Sequence, residues 1–288
     1  MDAVSRIERC LHAAVATAEA PACPPGLAEA MAHAVFPRGA RIRPRLLLAV
    51  AAACEEDDEE LSDSAGAAIE LLHCASLVHD DLPCFDDADT RRGRASVHRA
   101  FGAPRAVLAG DALIVLAFQT LAAGAARLPG RLPGLVAIIA GAVGVPGGIV
   151  AGQARECEAA ADIATYHDEK TAALFAAATM AGAAAAGREP GPWRNFGTRL
   201  GAAYQIADDV RDAVCAAEEI GKPVGRDADL ARPSAVRQYG VAGALARLQS
   251  MANAAAEAIP DCKGAEILRA LVRSEQLRLT PKNLSRVA

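Results

Sequence analysis

Aromatic side chains are scarce in this chain: one Trp, three Tyr and six Phe, 3% of 288 residues. The 52% hydrophobic content therefore rests on Ala, Leu, Val and Ile, so the interior is filled by small and branched side chains. Lysine is scarce too. Lys170, Lys222, Lys263 and Lys282 are four of the 30 basic residues, and the rest are arginine. A lysine kept against that bias marks a place for a compact, flexible ammonium. The net charge of −5 argues against a nucleic-acid partner. The eight cysteines, at positions 10, 23, 54, 74, 84, 157, 215 and 262, include no CxxC pair. They read as free thiols packed as small hydrophobes in a reducing cytoplasm, which leaves a zinc site little support. There is no Walker P-loop and no GxGxxG, so a nucleotide is not indicated.

Strand-like alternation of Val, Ile and Thr is also rare, whereas alanine blocks such as Ala183-Ala184-Ala185-Ala186 favour helix. About ten helical segments alternate with Gly/Pro turn signals, and no low-complexity linker divides them. The pattern predicts an all-α fold, a single large antiparallel helical bundle spanning residues 1–288. Ser62 to Pro83 and Trp193 to Ala217 are among the longest segments. Leu132 to Ala154 carries no charge but is interrupted by Pro133, Gly134, Gly141, Gly144, Pro146, Gly147, Gly148 and Gly152. It reads as a broken, buried helix, and no transmembrane segment is expected. Thr171 to Gly187, uncharged and rich in small residues, reads as a central bundle helix.

Against this apolar background stand two carboxylate clusters. One is His79-Asp80-Asp81-Leu82-Pro83-Cys84-Phe85-Asp86-Asp87, followed by Arg91-Arg92-Gly93. The other is Tyr204-Gln205-Ile206-Ala207-Asp208-Asp209-Val210-Arg211-Asp212. Packed like charges in apolar helices are costly, and a hard divalent cation bound by oxygen is the simplest compensation. Asp208 and Asp212 are i and i+4, so they share a helix face. Asp80 and Asp86 are six apart and would diverge on an ideal helix, but Pro83 distorts or ends that helix and can bring them together. Arg91, Arg92 and Arg94, with Arg38, Arg41 and Arg43 upstream, supply guanidinium forks for phosphate oxygens. Acidic and basic clusters together point to a magnesium-bridged diphosphate.

These motifs resemble the trans-isoprenyl diphosphate synthase family from about Gly39 to Ser234. Arg41-Ile42-Arg43-Pro44 resembles its early basic motif, and His73-Cys74-Ala75-Ser76-Leu77-Val78-His79-Asp80-Asp81-Leu82-Pro83 leads into its first aspartate-rich motif. Leu108-Ala109-Gly110-Asp111, Gly152-Gln153, Lys170-Thr171, Tyr204-Gln205 and Gly221-Lys222 follow in the family's order. The chain looks most like bacterial geranylgeranyl diphosphate synthases of carotenoid and photosynthetic pigment pathways.

The resemblance implies a helical bundle around a central prenyl pocket, three Mg²⁺ ions and a cytoplasmic homodimer. It implies metal binding by Asp80, Asp81 and Asp86 on one side and by Asp208, with Asp209 and Asp212, on the other. Arg91, Lys170 and Lys222 would bind an allylic diphosphate, and Thr171 and Gln205 would offer oxygen dipoles to the allylic cation. Isopentenyl diphosphate would be held by Arg43, His73 and Arg92, with Arg41 in the same basic motif. The family's usual lysine is replaced by Ala40 in Gly39-Ala40-Arg41, and Arg232 stands near the place of a second one. Ala75 and Ser76, about one turn before Asp80, leave room where an aromatic would close the pocket. Leu71, Leu72 and Phe118 are deeper candidates for its floor. The expected product has twenty carbons. The alternatives are a shorter-chain geranyl or farnesyl diphosphate synthase and a regulatory subunit of a heteromeric synthase. A terpene cyclase or head-to-head condensing enzyme is disfavoured because neither needs Arg43, His73 and Arg92.

Overall fold

The computed structural model describes residues 2–36, 39–56, 58–158, 168–214 and 234–280. Its helices are α1 (Ala3–Ala16), α2 (Pro25–Val35), α3 (Ile42–Ala53), α4 (Glu59–Asp80), α5 (Val97–Phe101), α6 (Ala103–Gly124), α7 (Leu132–Val143), α8 (Ile149–Arg155), α9 (Ala173–Ala185), α10 (Arg194–Val214), α11 (Ala235–Glu257) and α12 (Ala265–Leu279). A π-helical turn, Asp168–Ala172, leads into α9. The one sheet among the described residues is a short hairpin, β1 (Thr90–Arg91) with β2 (Arg94–Ala95). The fold is all-α, as the composition predicts.

Helix α4 starts where the Asp58 carboxylate accepts from the Leu61 amide at 2.9 Å, and Glu59 and Glu60 place negative charge in its first turn. From Leu61 to Leu72 every residue is buried. A helix covered on all sides needs small side chains, and Ala65-Gly66-Ala67-Ala68 supply them. Helix α9 is similar, buried without a break from Leu174 to Ala183. It forms the centre of the bundle, packed against α3, α4, α7 and α10. One continuous apolar core runs through these helices.

Close crossings set the layout. Gly110 of α6 lies under His79, and Gly124 lies under Ser64, so α6 runs antiparallel to α4. Gly182 of α9 sits against the Leu47 carbonyl, and Gly197 of α10 sits against the Phe175 carbonyl. The uncharged Leu132 to Ala154 stretch is broken as expected, into α7 and α8, but only one face of it is buried. Among the described residues the helix long and apolar enough to cross a membrane is instead α6. Its inner face, including Ala106, Ala109, Leu113 and Ala117, belongs to the core, whereas Val107, Leu108 and Val115 are exposed.

A Cβ at Gly197 would lie 2.5 Å from the Phe175 carbonyl oxygen and 2.5 Å from Ala176 Cα. Gly197→Ala is therefore expected to lower stability by about 1–3 kcal/mol through overpacking. Gly141→Ala meets nothing within 4 Å, and in a helix it should stabilise by about 0.5–1 kcal/mol. Urea melts of both variants check the pair. Equal midpoints would remove the close α9–α10 crossing as a constraint.

Candidate active site

The first aspartate cluster sits where α4 ends. Past Asp80 the chain turns back on itself: the Asp86 amide donates to the Asp80 carbonyl at 3.0 Å, and the Ala88 amide to the Asp81 carbonyl at 3.2 Å. This turn, with Pro83 in it, brings Asp86 back to Asp80 as the sequence predicts. Carboxylate oxygens of Asp80, Asp86 and Glu156 all lie within 4.8 Å of one another. Three hard oxygen donors at that spacing fit Mg²⁺. Burial pushes the Asp80 carboxyl above its ordinary range; Lys170 works against that shift and Asp86 adds to it. Such a group is stabilised as a carboxylate by added positive charge.

Glu156 had no place in the sequence reading, although it follows the Gly152-Gln153 motif closely, three residues after Gln153. It lies just past α8, and two ion pairs tie the end of α8 to the π-helical turn. Arg155 binds Glu169 through two N–H groups, one at 2.9 Å, and Lys170 pairs with Glu156. The Lys170 ammonium also lies 3.4 Å from Asp80. Gly152 permits this fit: a Cβ there would lie 2.7 Å from the Lys170 amide nitrogen.

Of the tandem aspartates Asp80-Asp81, only the first joins the cluster. Asp81, which the resemblance makes a metal ligand, has a buried carboxylate that accepts from Arg91 Nε at 2.9 Å and is also paired with Arg91 Nη2. Successive helix residues point about 100° apart, so neighbouring carboxylates at a helix end face different partners. The second motif divides in the same way. Asp208 is exposed, while Asp209 is buried. Asp209 accepts from Gln205 Nε2 at 3.0 Å and from the Ala235 amide at 2.7 Å, which fixes the start of α11. Asp212 is half-buried. Neither Asp208 nor Asp212 lies within the close carboxylate group that Asp80, Asp86 and Glu156 form among the described residues.

Thr171 and Gln205 do come together. Thr171 Oγ1 donates to Gln205 Oε1 at 2.6 Å. Asp209, an acceptor only, fixes the amide the other way round. The chain from Thr171 through Gln205 and Asp209 to Ala235 joins the π-helical turn, α10 and α11.

A basic cluster lies beside α4. The hairpin turn puts Arg92 at φ 53° and Gly93 at φ 75°, the backbone of a two-residue primed turn. That turn lays the Arg92 guanidinium over Gly39, where a Cβ would sit 2.7 Å from its nitrogen. Arg92 Nη2 is 3.7 Å from Glu70, while its Nη1 is buried without a partner. The Arg43 guanidinium lies 4.7 Å from the Phe175 ring centroid, and its Nε is also buried without a partner. His73 is a neighbour of both. Burial, reinforced by Arg43, Arg92, Arg91 and Arg41, holds its imidazole well below the ordinary range, so the ring is neutral at pH 7. Burial likewise lowers Arg43 from its usual value, Glu70 and Asp208 opposing. Unpaired buried guanidinium donors are rare in folded proteins and suit an oxyanion that is not part of the chain.

Arg41 is already paired within the protein. It is 2% exposed, and it donates to Glu8 at 3.0 Å, to Glu70 at 2.7 Å and to the Val35 carbonyl at 2.8 Å. The structure gives it to the framework. Ala75 and Leu72 are buried on α4, and Ser76 Oγ donates to the His73 carbonyl at 2.8 Å. The register of α6 on α4 sets Ala75 level with the turn around Ile114, and Leu71 level with that around Phe118. His79, left out of the site by the sequence reading, contacts the Val107 carbonyl at 3.3 Å. Lys222, Arg38 and Arg232 lie outside the described residues.

Comparison with solved structures defines the class. A geranyltransferase from Legionella pneumophila superposes with a TM-score of 0.82 at 26% identity, covering 98% of this chain and 96% of that one. A geranyltransferase from Helicobacter pylori complexed with magnesium and isoprenyl diphosphate gives a TM-score of 0.80 at 25% identity, covering 96% and 98%. The fold is that of helical isoprenoid synthases. The polyprenyl synthetase family matches residues 24–265, and the chain belongs to that family. It is 51% identical over 280 residues to geranylgeranyl diphosphate synthase of Cereibacter sphaeroides, covering 97% of each chain. It is 48% identical over 268 residues to that of Rhodobacter capsulatus, covering 93% of each.

The depressed His73 has a consequence for stability. The folded chain declines a proton that the unfolded chain takes up near the ordinary imidazole value of 6.5. Folding stability of the ligand-free protein should therefore fall as pH drops below that value. His73→Gln should remove this component. Urea unfolding between pH 7.5 and 5 measures it, and identical pH slopes for parent and variant would contradict a neutral buried ring.

Proposed function

We infer that the chain transfers an allylic prenyl group head to tail onto isopentenyl diphosphate, with farnesyl diphosphate as the prenyl donor in the last step and geranylgeranyl diphosphate as product. The observation that carries this is the paired arrangement of a three-carboxylate group at Asp80, Asp86 and Glu156 with two unpartnered arginine donors, Arg43 Nε and Arg92 Nη1. One side suits a metal-bound diphosphate and the other a bare one. The relatives named above, called geranylgeranyl diphosphate synthases, support the product assignment.

On this reading Asp80, Asp86 and Glu156 hold Mg²⁺ on one side and Asp208, with Asp212, on the other, three ions in all. When bound, Mg²⁺ neutralises the diphosphate and makes it a better leaving group. Arg91, Lys170 and Lys222 bind the allylic diphosphate. Lys170 starts out paired with Glu156 and is poised next to Asp80. Arg43, Arg92 and neutral His73 hold isopentenyl diphosphate with its double bond facing the allylic carbon. As the allylic carbon–oxygen bond breaks, the Thr171 hydroxyl oxygen and the Gln205 carbonyl stabilise the cation. The double bond attacks it, and the proton released passes to the departed diphosphate. Rate enhancement comes from position and fixed charge.

The single continuous core supports one domain, and the chain is assigned to the cytoplasm, supplying pigment precursors. The exposed apolar residues Val107, Leu108 and Val115 on one face of α6 suit a second copy of the chain, a homodimer.

The deciding assay supplies isopentenyl diphosphate with each allylic starter, with and without Mg²⁺, and reads product chain length. Twenty-carbon product that requires Mg²⁺ is expected, and diphosphate release without isopentenyl diphosphate would count against prenyl transfer. Glu156→Gln, which keeps shape and removes one ligand charge, should raise the Mg²⁺ concentration for half activity about tenfold. Ala75→Phe fills the space one turn below Asp80 and should shift the main product to fifteen carbons. An unchanged product distribution would remove Ala75 from the pocket wall.

A further inference from the structure

Helix α12 begins at residue 265, where the family match ends, yet a buried carboxylate on it reaches the neighbours of the basic cluster. Glu275 is 2% exposed. Its Oε2 accepts from the Tyr204 hydroxyl at 2.5 Å and from Arg278 Nε at 2.7 Å, and its Oε1 accepts from Arg45 Nη1 at 3.4 Å. Arg278 Nη2 donates to the Tyr204 oxygen at 2.7 Å, closing a triangle of Tyr204, Glu275 and Arg278. The Tyr204 ring packs 4.7 Å from that of Phe175, and the Arg43 guanidinium lies 4.7 Å from the other partner of that pair, the Phe175 ring. Arg45, two residues after Arg43 on α3, is held by the same carboxylate.

Glu275 therefore touches the surroundings of Arg43 twice: through the Arg45 side chain of α3, and through Tyr204 on the aromatic platform. Arg43 has no carboxylate of its own within ion-pair distance among the described residues, and its Nε is unpartnered. Its position thus depends on what fixes Phe175 and α3. A long side chain resting on a ring loses its aim when the ring is free to tilt. Tyr204 is the residue before Gln205, so the same anchor steadies the amide that Thr171 contacts.

We propose that Glu275 is a positioning residue for the isopentenyl diphosphate half of the site, acting from α12 through Tyr204, Phe175 and Arg45 to hold Arg43 in place. The proposal rests on Arg43, His73 and Arg92 being that half-site. It is tested with full-length Glu275→Ala, Glu275→Gln, Tyr204→Phe and Arg43→Lys, with Glu266→Gln on the exposed side of α12 as control. KM is measured separately for isopentenyl and farnesyl diphosphate, alongside kcat and the melting temperature.

Glu275→Ala should raise KM for isopentenyl diphosphate about tenfold, the size expected for one misaligned charged hydrogen bond, with KM for farnesyl diphosphate changed less than about twofold. Glu275→Gln keeps an acceptor for the tyrosine hydroxyl and should recover most of the affinity. Tyr204→Phe, which keeps the ring, should show the same split in smaller measure, and it decides the matter if Glu275→Ala fails to fold. A lower melting temperature with both KM values moving together would reduce Glu275 to a structural residue and overturn the proposal. Arg43→Lys separates the two layers. If it raises KM for isopentenyl diphosphate while Glu275 and Tyr204 variants do not, the positioning role alone fails. If it raises only KM for farnesyl diphosphate, the half-site assignment fails and the proposal with it.

Discussion

The buried pair between Arg41 and Glu70 is the contact on which the arrangement of charge depends. Glu70 sits in the middle of α4, 2% exposed. Arg41, at φ 49° just before α3, donates to it at 2.7 Å and to Glu8 of α1 at 3.0 Å. Arg92 approaches the same Glu70 oxygen at 3.7 Å. One carboxylate thereby links α1, α3, α4 and the hairpin turn. A buried ion pair of this kind contributes little net stability, because desolvation offsets most of the attraction. What it does contribute is geometry, since any arrangement that separates the partners leaves an uncompensated charge in an apolar core. Glu275 does the same on the other side of Arg43, with Tyr204, Arg45 and Arg278 as its partners.

The tandem aspartates show how one chain meets structural and chemical demands at adjacent positions. Asp80 turns toward Asp86 and Glu156, while Asp81 turns toward Arg91. Asp208 is exposed, while Asp209 secures Gln205 and the first turn of α11. Each buried aspartate orients a group that the site needs. Asp81 sets the guanidinium of Arg91, and Asp209 sets the amide of Gln205 and through it the hydroxyl of Thr171. Rigid placement of such groups is what electrostatic catalysis requires.

Much of this was readable from the chain. Small apolar residues at helical spacing carry the all-α fold, and the Pro83 break implied that Asp86 returns to Asp80. Lys170-Thr171 and Gln205 were named through the family resemblance, and the structure brings Thr171 and Gln205 into contact at 2.6 Å. Glu156 was not legible, because a lone carboxylate beyond a short motif looks like any exposed acid until α8 folds against the π-helical turn. The partners of Arg41 were hidden for a related reason. A motif arginine beside Arg43 looks like another phosphate ligand, and only packing shows Glu8 and Glu70, 33 and 29 residues away, closing around it.

The sequence by itself determined what is local: which segments are helical, where they end, and which residue types bring charge into an apolar bundle. These follow from side-chain periodicity, turn chemistry and the cost of burying charge, all readable within a few residues. The tertiary structure alone decided the partner of each charge. Asp81 met Arg91, Asp209 met Gln205 and the Ala235 amide, Glu156 joined Asp80 and Asp86, and Glu275 of α12 met Tyr204 and Arg45. Pairing of buried ions depends on which atoms lie within a few ångströms after helices distant in the chain have packed, and helical spacing carries no record of that.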